Sequence, residues 1–386
     1  MSLGFKVDRY SVSYCLLVLL AGIAVSLLTP VLSLFLSDEL GVSSFKVGVY
    51  FTCYACAGIL VSQILAVISD RTGNRRIIVL ISALMGFFAM ILYSVSNSYE
   101  IIATLGVFML SFITSITPQL FAAGREFCAR TGREPVMFLQ IMRIQFSLAW
   151  VMGPPLAFAF MGYFGFRKLF LLSSAVYFIT FAAAFFLLPK GDSRDRSSIK
   201  GEKDRVFEKN VMLLFIACTL MWTSNTMYLI AMPQYVTHIL RYSSELSGFM
   251  MGTAAFLEMP VMLVTGKFAR RLGIRTFMIL AASGGVLFYV TMLFVTSPFL
   301  LLAAQFFNAV YIGILAGFGM VYFQELLPSV PGEATTLFSN SAAVGGMAAG
   351  VTAGSIAALY GFDYVFTADL LLAAAAFVML FFVRKV

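Results

Sequence analysis

Four side chains that can hydrogen-bond or stack share one face of an otherwise apolar segment. Gln140, Arg143, Ser147 and Trp150 are separated by three, four and three positions, which places them on one side of an α-helix. An amide, a guanidinium and a hydroxyl bind hydroxyl groups, and an indole packs on the apolar face of a ring. The pattern predicts a contact surface for a small polyhydroxylated ligand. The alternative for Arg143 is an extended side chain whose guanidinium group reaches the polar end of the helix.

Polar side chains also share helical faces in three later segments. They are Trp222, Asn225 and Tyr228 at i, i+3 and i+6, then Gln305 and Asn308, and finally Asn340 after several hydroxyl residues. We interpret the set as a second group of ligand contacts around a polar cavity. The alternative for each is a hydrogen bond that joins two apolar helices, a common use of Asn, Gln, Ser and Thr.

Two acids lie inside apolar segments. Glu258 is fourteen residues into the segment 244–268, and Asp369 lies in the segment 363–383. A charge at the centre of a bilayer costs about 2.5–3.5 kcal/mol on insertion scales, so each acid needs an explanation. An apolar environment favours the neutral carboxyl, which can load and release a proton. We predict a proton-coupling role for both; the alternative is a protonated acid that joins two helices.

The elements that must position these residues are membrane spans. Hydrophobic residues make up 61% of the 386 positions and charged residues only 11%, with a mean hydropathy of +0.94, which excludes a soluble domain. We predict twelve spans, at 12–36, 45–69, 77–96, 99–123, 136–162, 167–188, 210–236, 244–268, 276–296, 298–325, 333–359 and 363–383. The polar interval 189–209 divides them into an N-terminal bundle, 1–188, and a C-terminal bundle, 210–386.

The basic residues are distributed unequally between the two sides of the membrane. The net charge is +8, but the basic residues lie in short loops, which indicates topology and excludes nucleic acid as a partner. Lys46, Arg167, Lys168 and Arg241 are the basic loop residues of one side, and the others except Arg143 lie on the opposite side. Both termini and the interval 189–209 are therefore predicted to be cytoplasmic.

The sequence offers little for a metal or a cofactor. His238 is the only histidine, and Cys53-x-x-Cys56 lies in an apolar run without a second pair of ligands. We interpret the cysteines as small apolar helix residues. We expect no metal, no cofactor and a monomer in the lipid bilayer.

A charged loop follows the second predicted span and has a partial copy in the second half. "SDRTGNRRI" covers 69–77, and "GKFARRLGIR" covers 266–275. A shift of 200 residues aligns Arg71 with Arg271, Gly73 with Gly273 and Arg75 with Arg275. Repeated six-span halves are typical of membrane transporters.

The charged loop resembles the signature of the major facilitator superfamily, Gly-x-x-x-Asp-Arg/Lys-x-Gly-Arg/Lys-Arg/Lys. The matching residues are Asp70, Arg71, Gly73 and Arg75, while Ala66 and Asn74 depart from it. Gly153-Pro154 resembles the helix kink of exporters in this superfamily. Longer strings, including "SLAWVMGPPLAF" at 147–158 and "GFMMGTAAFLEMP" at 248–260, are similar to bacterial sugar efflux transporters.

The resemblance implies an all-α integral membrane protein with the major facilitator fold, and not an enzyme. It implies export of sugars or sugar analogues across the bacterial inner membrane, in exchange for protons, by alternating access. We expect Asp70, Arg71, Gly73 and Arg75 to form a cytoplasmic gate together with the charges Arg125 and Glu126. Three alternatives stay open: an exporter of drugs or amphiphiles, proton-coupled sugar uptake, and a membrane enzyme or receptor.

Overall fold

The computed structural model describes residues 8–133, 135–189, 209–328 and 331–383. Within these ranges the ordered elements are all helical. Eleven helices are long and apolar enough to cross a membrane. The helical segments are α1 Arg9–Glu39, α2 Ser44–Thr72, α3 Arg75–Val95, α4 Tyr99–Thr131, α5 Pro135–Leu187, α6 Lys209–Ile239, α7 Glu245–Leu272, α8 Ile274–Phe294, α9 Pro298–Leu326, α10 Pro331–Leu359 and α11 Asp363–Leu380.

Helix α5 contains two of the predicted spans. Its apolar part, Phe138–Leu187, has 50 residues, or about 75 Å at 1.5 Å per residue, whereas a bilayer with its head groups is about 40–45 Å thick. The backbone leaves the helical region at Gly165, with φ 81° and ψ 167°. This break lies between the predicted spans 136–162 and 167–188. Pro154 lies inside the helix, and the non-helical backbone is at Gly165 instead.

Polar caps and turns account for several helix ends. The Asp8 carboxylate accepts a hydrogen bond from the Ser11 amide at 2.9 Å and caps α1. Asn74 caps α3 by accepting from the Ile77 amide at 3.2 Å. These side chains satisfy amide groups that the first helical turn leaves without partners. Asn74 thus has a structural reason to replace a basic residue of the loop signature.

The first of two compact units contains the described parts of Met1–Leu32 and Cys56–Arg196. In it α5 packs against α1 and α3. The Ser26 hydroxyl of α1 donates to the Ala149 carbonyl of α5 at 3.0 Å. A Cβ at Gly153 would collide with Ser26, so this glycine allows α1 and α5 to approach closely.

The second unit contains the described parts of Ser33–Ala55 and Ser197–Val386. Helix α6 packs against α10 and α11, helix α8 against α9 and α11, and α7 against α9. Buried aromatic rings fill the space between α6, α8 and α11. The Tyr228 ring lies edge-on to Phe288, with 5.0 Å between ring centroids.

Candidate functional site

The charged loop of the first unit is organised around Arg75. Its Nε donates to Oε1 of Glu126 at 2.6 Å, and its Nη1 donates to the Gln119 amide oxygen at 2.9 Å. The Ser69 hydroxyl donates to the same Gln119 oxygen at 2.8 Å. The Arg75 and Glu126 side chains are 12% and 21% exposed, so this ion pair is shielded more than a surface pair. The structure therefore links the end of α2, the start of α3 and α4.

The other predicted gate residues have different environments. Gly73 has a φ of 66°, a left-handed conformation that favours glycine. Arg71 and Arg125 are exposed, and the side chain of Asp70 lies outside the described part. Gln119 and Ser69 were missed by sequence analysis because each is a single polar residue at the end of an apolar segment.

Basic residues at the start of α3 and α8 cap the last helix of each half. Arg76 donates to the Phe185 carbonyl near the end of α5. Arg275 donates to the Leu380 carbonyl at 3.4 Å and to the Phe381 carbonyl after α11. Carbonyls at helix ends lack helical partners and carry partial negative charge. The repeated loop thus performs a similar structural task in both halves.

A second ion pair of the first unit ties the start of α1 to the loop after α4. Nη2 of Arg133 donates to Oδ2 of Asp8 at 2.8 Å, and Arg133 also donates to the Ser11 hydroxyl. Hydrogen bonds from Ser11, with the nearby Arg133 charge, lower the pKa of Asp8 because they favour its ionised form. Sequence analysis assigned no role to this pair.

The predicted ligand face of α5 is partly open. Gln140 and Arg143 are exposed, while Ser147 and Trp150 are half-buried. The indole Nε1 of Trp150 is buried and has no hydrogen-bond acceptor among the described residues. An indole N–H is a donor only and normally finds an acceptor when buried. Trp150 therefore retains an N–H group that could donate a hydrogen bond to a ligand hydroxyl.

Trp222 on α6 has the same unsatisfied donor. The side chain is half-buried, and its ring packs edge-on against Phe338 of α10 with centroids 6.2 Å apart. Its Nε1 is buried and has no acceptor within the described ranges. Asn225 and Asn340 are half-buried as well. The chain has two tryptophans, and each has, on a predicted ligand face, a buried indole N–H without an acceptor among the described residues.

Three other predicted ligand contacts bind one another inside the second unit. Tyr228, Gln305 and Asn308 are 1%, 0% and 5% exposed. The Gln305 amide oxygen accepts from the Tyr228 hydroxyl at 3.4 Å and from the Asn308 amide at 3.1 Å. The bond from Tyr228 joins α6 to α9, as the helix-joining alternative expects, and the bond from Asn308 lies within α9. A ligand could reach these groups only after the helices separate.

Asp369 belongs to a neighbouring buried cluster of hydroxyl groups. It is fully buried, and neither carboxyl oxygen has a hydrogen-bond partner among the described residues. Tyr289 of α8 and Tyr311 of α9 lie near it and are themselves fully buried. The Tyr311 hydroxyl donates to the Met221 carbonyl at 2.8 Å and lies 2.7 Å from the Ser224 hydroxyl. Sequence analysis missed the two tyrosines and Ser224.

Glu258 has a different environment from Asp369. Its side chain is half-buried on α7. A Cβ built on Gly313 of α9 would lie 3.6 Å from Cγ of Glu258, so the carboxyl-bearing chain lies beside that glycine. Glu258 thus packs against α9 and retains exposure, whereas Asp369 is fully buried.

The start of α2 packs closely on α10 within the second unit. The Thr52 hydroxyl donates to the Met347 carbonyl at 3.1 Å and accepts from the Val351 amide at 2.9 Å. A Cβ on Gly354 would lie 2.6 Å from Cα of Gly48. Small residues at such a crossing let two helix backbones approach. Sequence analysis did not identify this contact.

Two polar contacts between α1 and α6 accompany this packing. The Gln234 amide donates to the Ser37 hydroxyl at 2.7 Å. Nε2 of His238 lies 2.9 Å from Oδ1 of Asp38. The π-helical turns Phe35–Glu39 and Tyr235–Ile239 carry Ser37, Asp38 and His238. Like the Thr52 contact, these bonds belong to the second unit.

The helices and the buried polar clusters define a multi-span membrane protein. The family model of the Major Facilitator Superfamily matches residues 14–347 and 214–386. Sugar efflux transporter A of Dickeya chrysanthemi is 43% identical over 98% of this chain and 97% of its own length. Sugar efflux transporter C of Escherichia coli is 37% identical over 98% of this chain and 97% of its own.

Solved structures show the same fold at low sequence identity. The nucleoside transporter NupG is 15% identical and superposes with a TM-score of 0.82 over 97% of this chain and 98% of its own. A peptide transporter, POT, is 12% identical with a TM-score of 0.78 over 98% and 97% of the two chains. The chain belongs to the Major Facilitator Superfamily and, within it, to the family of the sugar efflux transporters. It is a multi-span transport protein and not an enzyme.

Proposed function

We propose that this protein exports sugars or sugar analogues from the cytoplasm across the bacterial inner membrane. The observation that carries the proposal is 37–43% identity to proteins named sugar efflux transporters A, B and C, over more than nine tenths of the chain. The predicted orientation places both termini in the cytoplasm. Two crossings in α5, added to the other ten helices, give twelve spans in two six-helix halves, 1–188 and 210–386.

The two tryptophans support a sugar as the ligand. Trp150 and Trp222 each combine a half-buried ring with an unsatisfied indole N–H. A ring of this kind packs on the apolar face of a pyranose while the N–H donates to a hydroxyl. Gln140 and Arg143 on α5, and Asn225 on α6, would bind further hydroxyls. Their exposure or partial exposure in the structure is compatible with this role.

The transport mechanism that we propose is alternating access coupled to protons. Sugar would leave as a proton enters, with a carboxyl that is loaded from outside and discharges inside. Glu258 is our principal candidate and Asp369 the second. We propose that the Arg75 cluster, with Asp70, Arg71, Arg125 and Glu126, stabilises one state of the cycle as a cytoplasmic gate.

Reconstituted flux tests this function directly. Purified protein in liposomes preloaded with unlabelled sugar should accumulate labelled sugar by counterflow, with a panel of mono- and disaccharides revealing the preferred ring. An imposed pH gradient should drive net flux of the same sugar. Counterflow of no sugar, together with transport of a cationic dye, would identify a drug exporter instead. Sugar flux that ignores the pH gradient would refute proton coupling alone.

A further inference from the structure

A basic cleft opens in the first unit where α1, α3, α4 and the end of α5 meet. The cleft is open on one side, and the space between its walls, open solvent included, is about 460 Å³. Arg75, Arg76, Arg130 and Glu126 line it together with the rings of Tyr14 and Phe127. All of the lining residues belong to the first unit. The sugar contacts proposed above lie elsewhere, on α5 and α6, and none of them lines the cleft.

The cleft carries an excess of positive charge. Glu126 forms the ion pair with Arg75, and this leaves the guanidinium groups of Arg76 and Arg130 as the excess. Arg76 is oriented by the Phe185 carbonyl, and its Nε is buried without an acceptor among the described residues. Arg130 is exposed and lines the cleft together with Tyr14. A buried N–H donor beside a second guanidinium favours an anion with several oxygens.

The other wall of the cleft is apolar. The Tyr14 and Phe127 rings pack with centroids 5.4 Å apart, and Leu188 follows at the end of α5. The nearby Arg133 lies over the Phe127 ring and is paired with Asp8, so it adds no unpaired charge beside the cleft. A ligand with a phosphate at one end and a hydrocarbon part at the other matches both walls.

We propose that this cleft binds the phosphate group of an anionic phospholipid. Basic pockets between transmembrane helices on the cytoplasmic side are suited to such head groups. The cleft lies at the ends of membrane-length helices, which is the depth of lipid phosphates. Arg76 and Arg130 donate to the phosphate oxygens, and the glycerol and acyl parts lie along Tyr14, Phe127 and Leu188. This proposal does not depend on the nature of the transported molecule.

Native mass spectrometry of the detergent-purified protein tests the site. Phosphatidylglycerol is titrated against wild type and Arg130→Gln, with phosphatidylcholine as the uncharged reference lipid. We expect the tightest phosphatidylglycerol site to weaken about tenfold in Arg130→Gln, as for the loss of one charge-assisted hydrogen bond. Arg130→Lys keeps the positive charge but loses the planar guanidinium group, and it should weaken phosphatidylglycerol binding less than Arg130→Gln does. Arg271→Gln is the matched control, because Arg271 is exposed on the corresponding loop of the second half.

Two results would overturn the proposal. Equal phosphatidylglycerol binding by wild type, Arg130→Gln and Arg271→Gln would show that the cleft does not select this lipid. In a second arm, inorganic phosphate is added at increasing concentration with each lipid. The second contrary result is that inorganic phosphate stabilises the protein only when Arg130 is present, while phosphatidylglycerol binds no more tightly than phosphatidylcholine. That result would assign the cleft to a soluble anion and not to a lipid.

Discussion

Replacement of Gly350 by alanine should destabilise the packing of α2 on α10. A Cβ at Gly350 would lie 2.6 Å from the Thr52 amide nitrogen and 2.7 Å from the Gly48 carbonyl oxygen. Both are backbone atoms, so they cannot rotate away. Overpacking of this kind costs about 1–3 kcal/mol. Displacement of Thr52 would also remove its bonds to α10, each of which contributes about 1 kcal/mol.

The expected effect is a smaller population of the state in which α2 packs on α10. Together these costs amount to about 3–5 kcal/mol, and their lower end, about 3 kcal/mol, already corresponds to roughly a 100-fold shift away from the state in which α2 contacts α10. The preference of alanine over glycine for helix applies in both states and cancels, because position 350 is helical in each. If transport alternates between such states, the variant should also export more slowly.

Distances between spin labels on the two helices measure this shift. Phe45 and Leu359 are exposed positions on α2 and α10, and labels there should show a short-distance population that decreases in Gly350→Ala. Gly346→Ala is the matched control, since the nearest atom to its Cβ is Cβ of Ala55 at 3.9 Å, an ordinary contact. Unchanged distances in Gly350→Ala, or an equal change in Gly346→Ala, would refute the packing argument.

Three further predictions concern single side chains. Glu258→Gln should abolish sugar export driven by a pH gradient but preserve counterflow, and normal driven export would remove Glu258 from the coupling step. Trp222→Phe keeps a ring but loses the indole N–H, so the affinity for sugar should fall about 3–10-fold. Calorimetry measures this affinity without a tryptophan signal, and an unchanged value would contradict a sugar contact. Since Ser11 and Arg133 lower the pKa of Asp8, their contribution to stability is present at neutral pH and declines as the pH falls through that lowered pKa. Thermal unfolding of wild type and Asp8→Asn should therefore converge in acid, and a constant difference at every pH would refute this linkage.

The helices could be predicted from sequence because bilayer thickness fixes their length and apolar character. The predicted boundary between 162 and 167 is confirmed by the break at Gly165. Local chemistry also indicated Gly73 and Asn74 as loop residues, although not the capping bond of Asn74. These features depend on residues close together in the chain.

Partners across helices could not be predicted in the same way. Sequence analysis placed Arg75 and Glu126 in one gate, but their pairing depends on how α3 and α4 are rotated and shifted. The same limit applies to Gln305. Sequence analysis identified the helical face that carries Gln305 and Asn308 as polar. Whether that face contacts a ligand or Tyr228 depends on how the helices pack. A helical period identifies which residues share a face and does not identify what covers the face.

The two intramembrane acids differ in a way that separates their roles. An unpaired carboxylate at the fully buried position of Asp369 would cost several kcal/mol, so this group is carried there as the neutral acid. Release of its proton requires that the packing of α11 on α6 and α8 opens, whereas the half-buried Glu258 can exchange a proton without that movement. Asp369→Asn keeps the size and neutrality of the side chain. If Asp369 couples transport to protons, this variant should lose gradient-driven export and retain counterflow. Full gradient-driven export by Asp369→Asn would assign Asp369 to helix packing and leave Glu258 as the coupling acid.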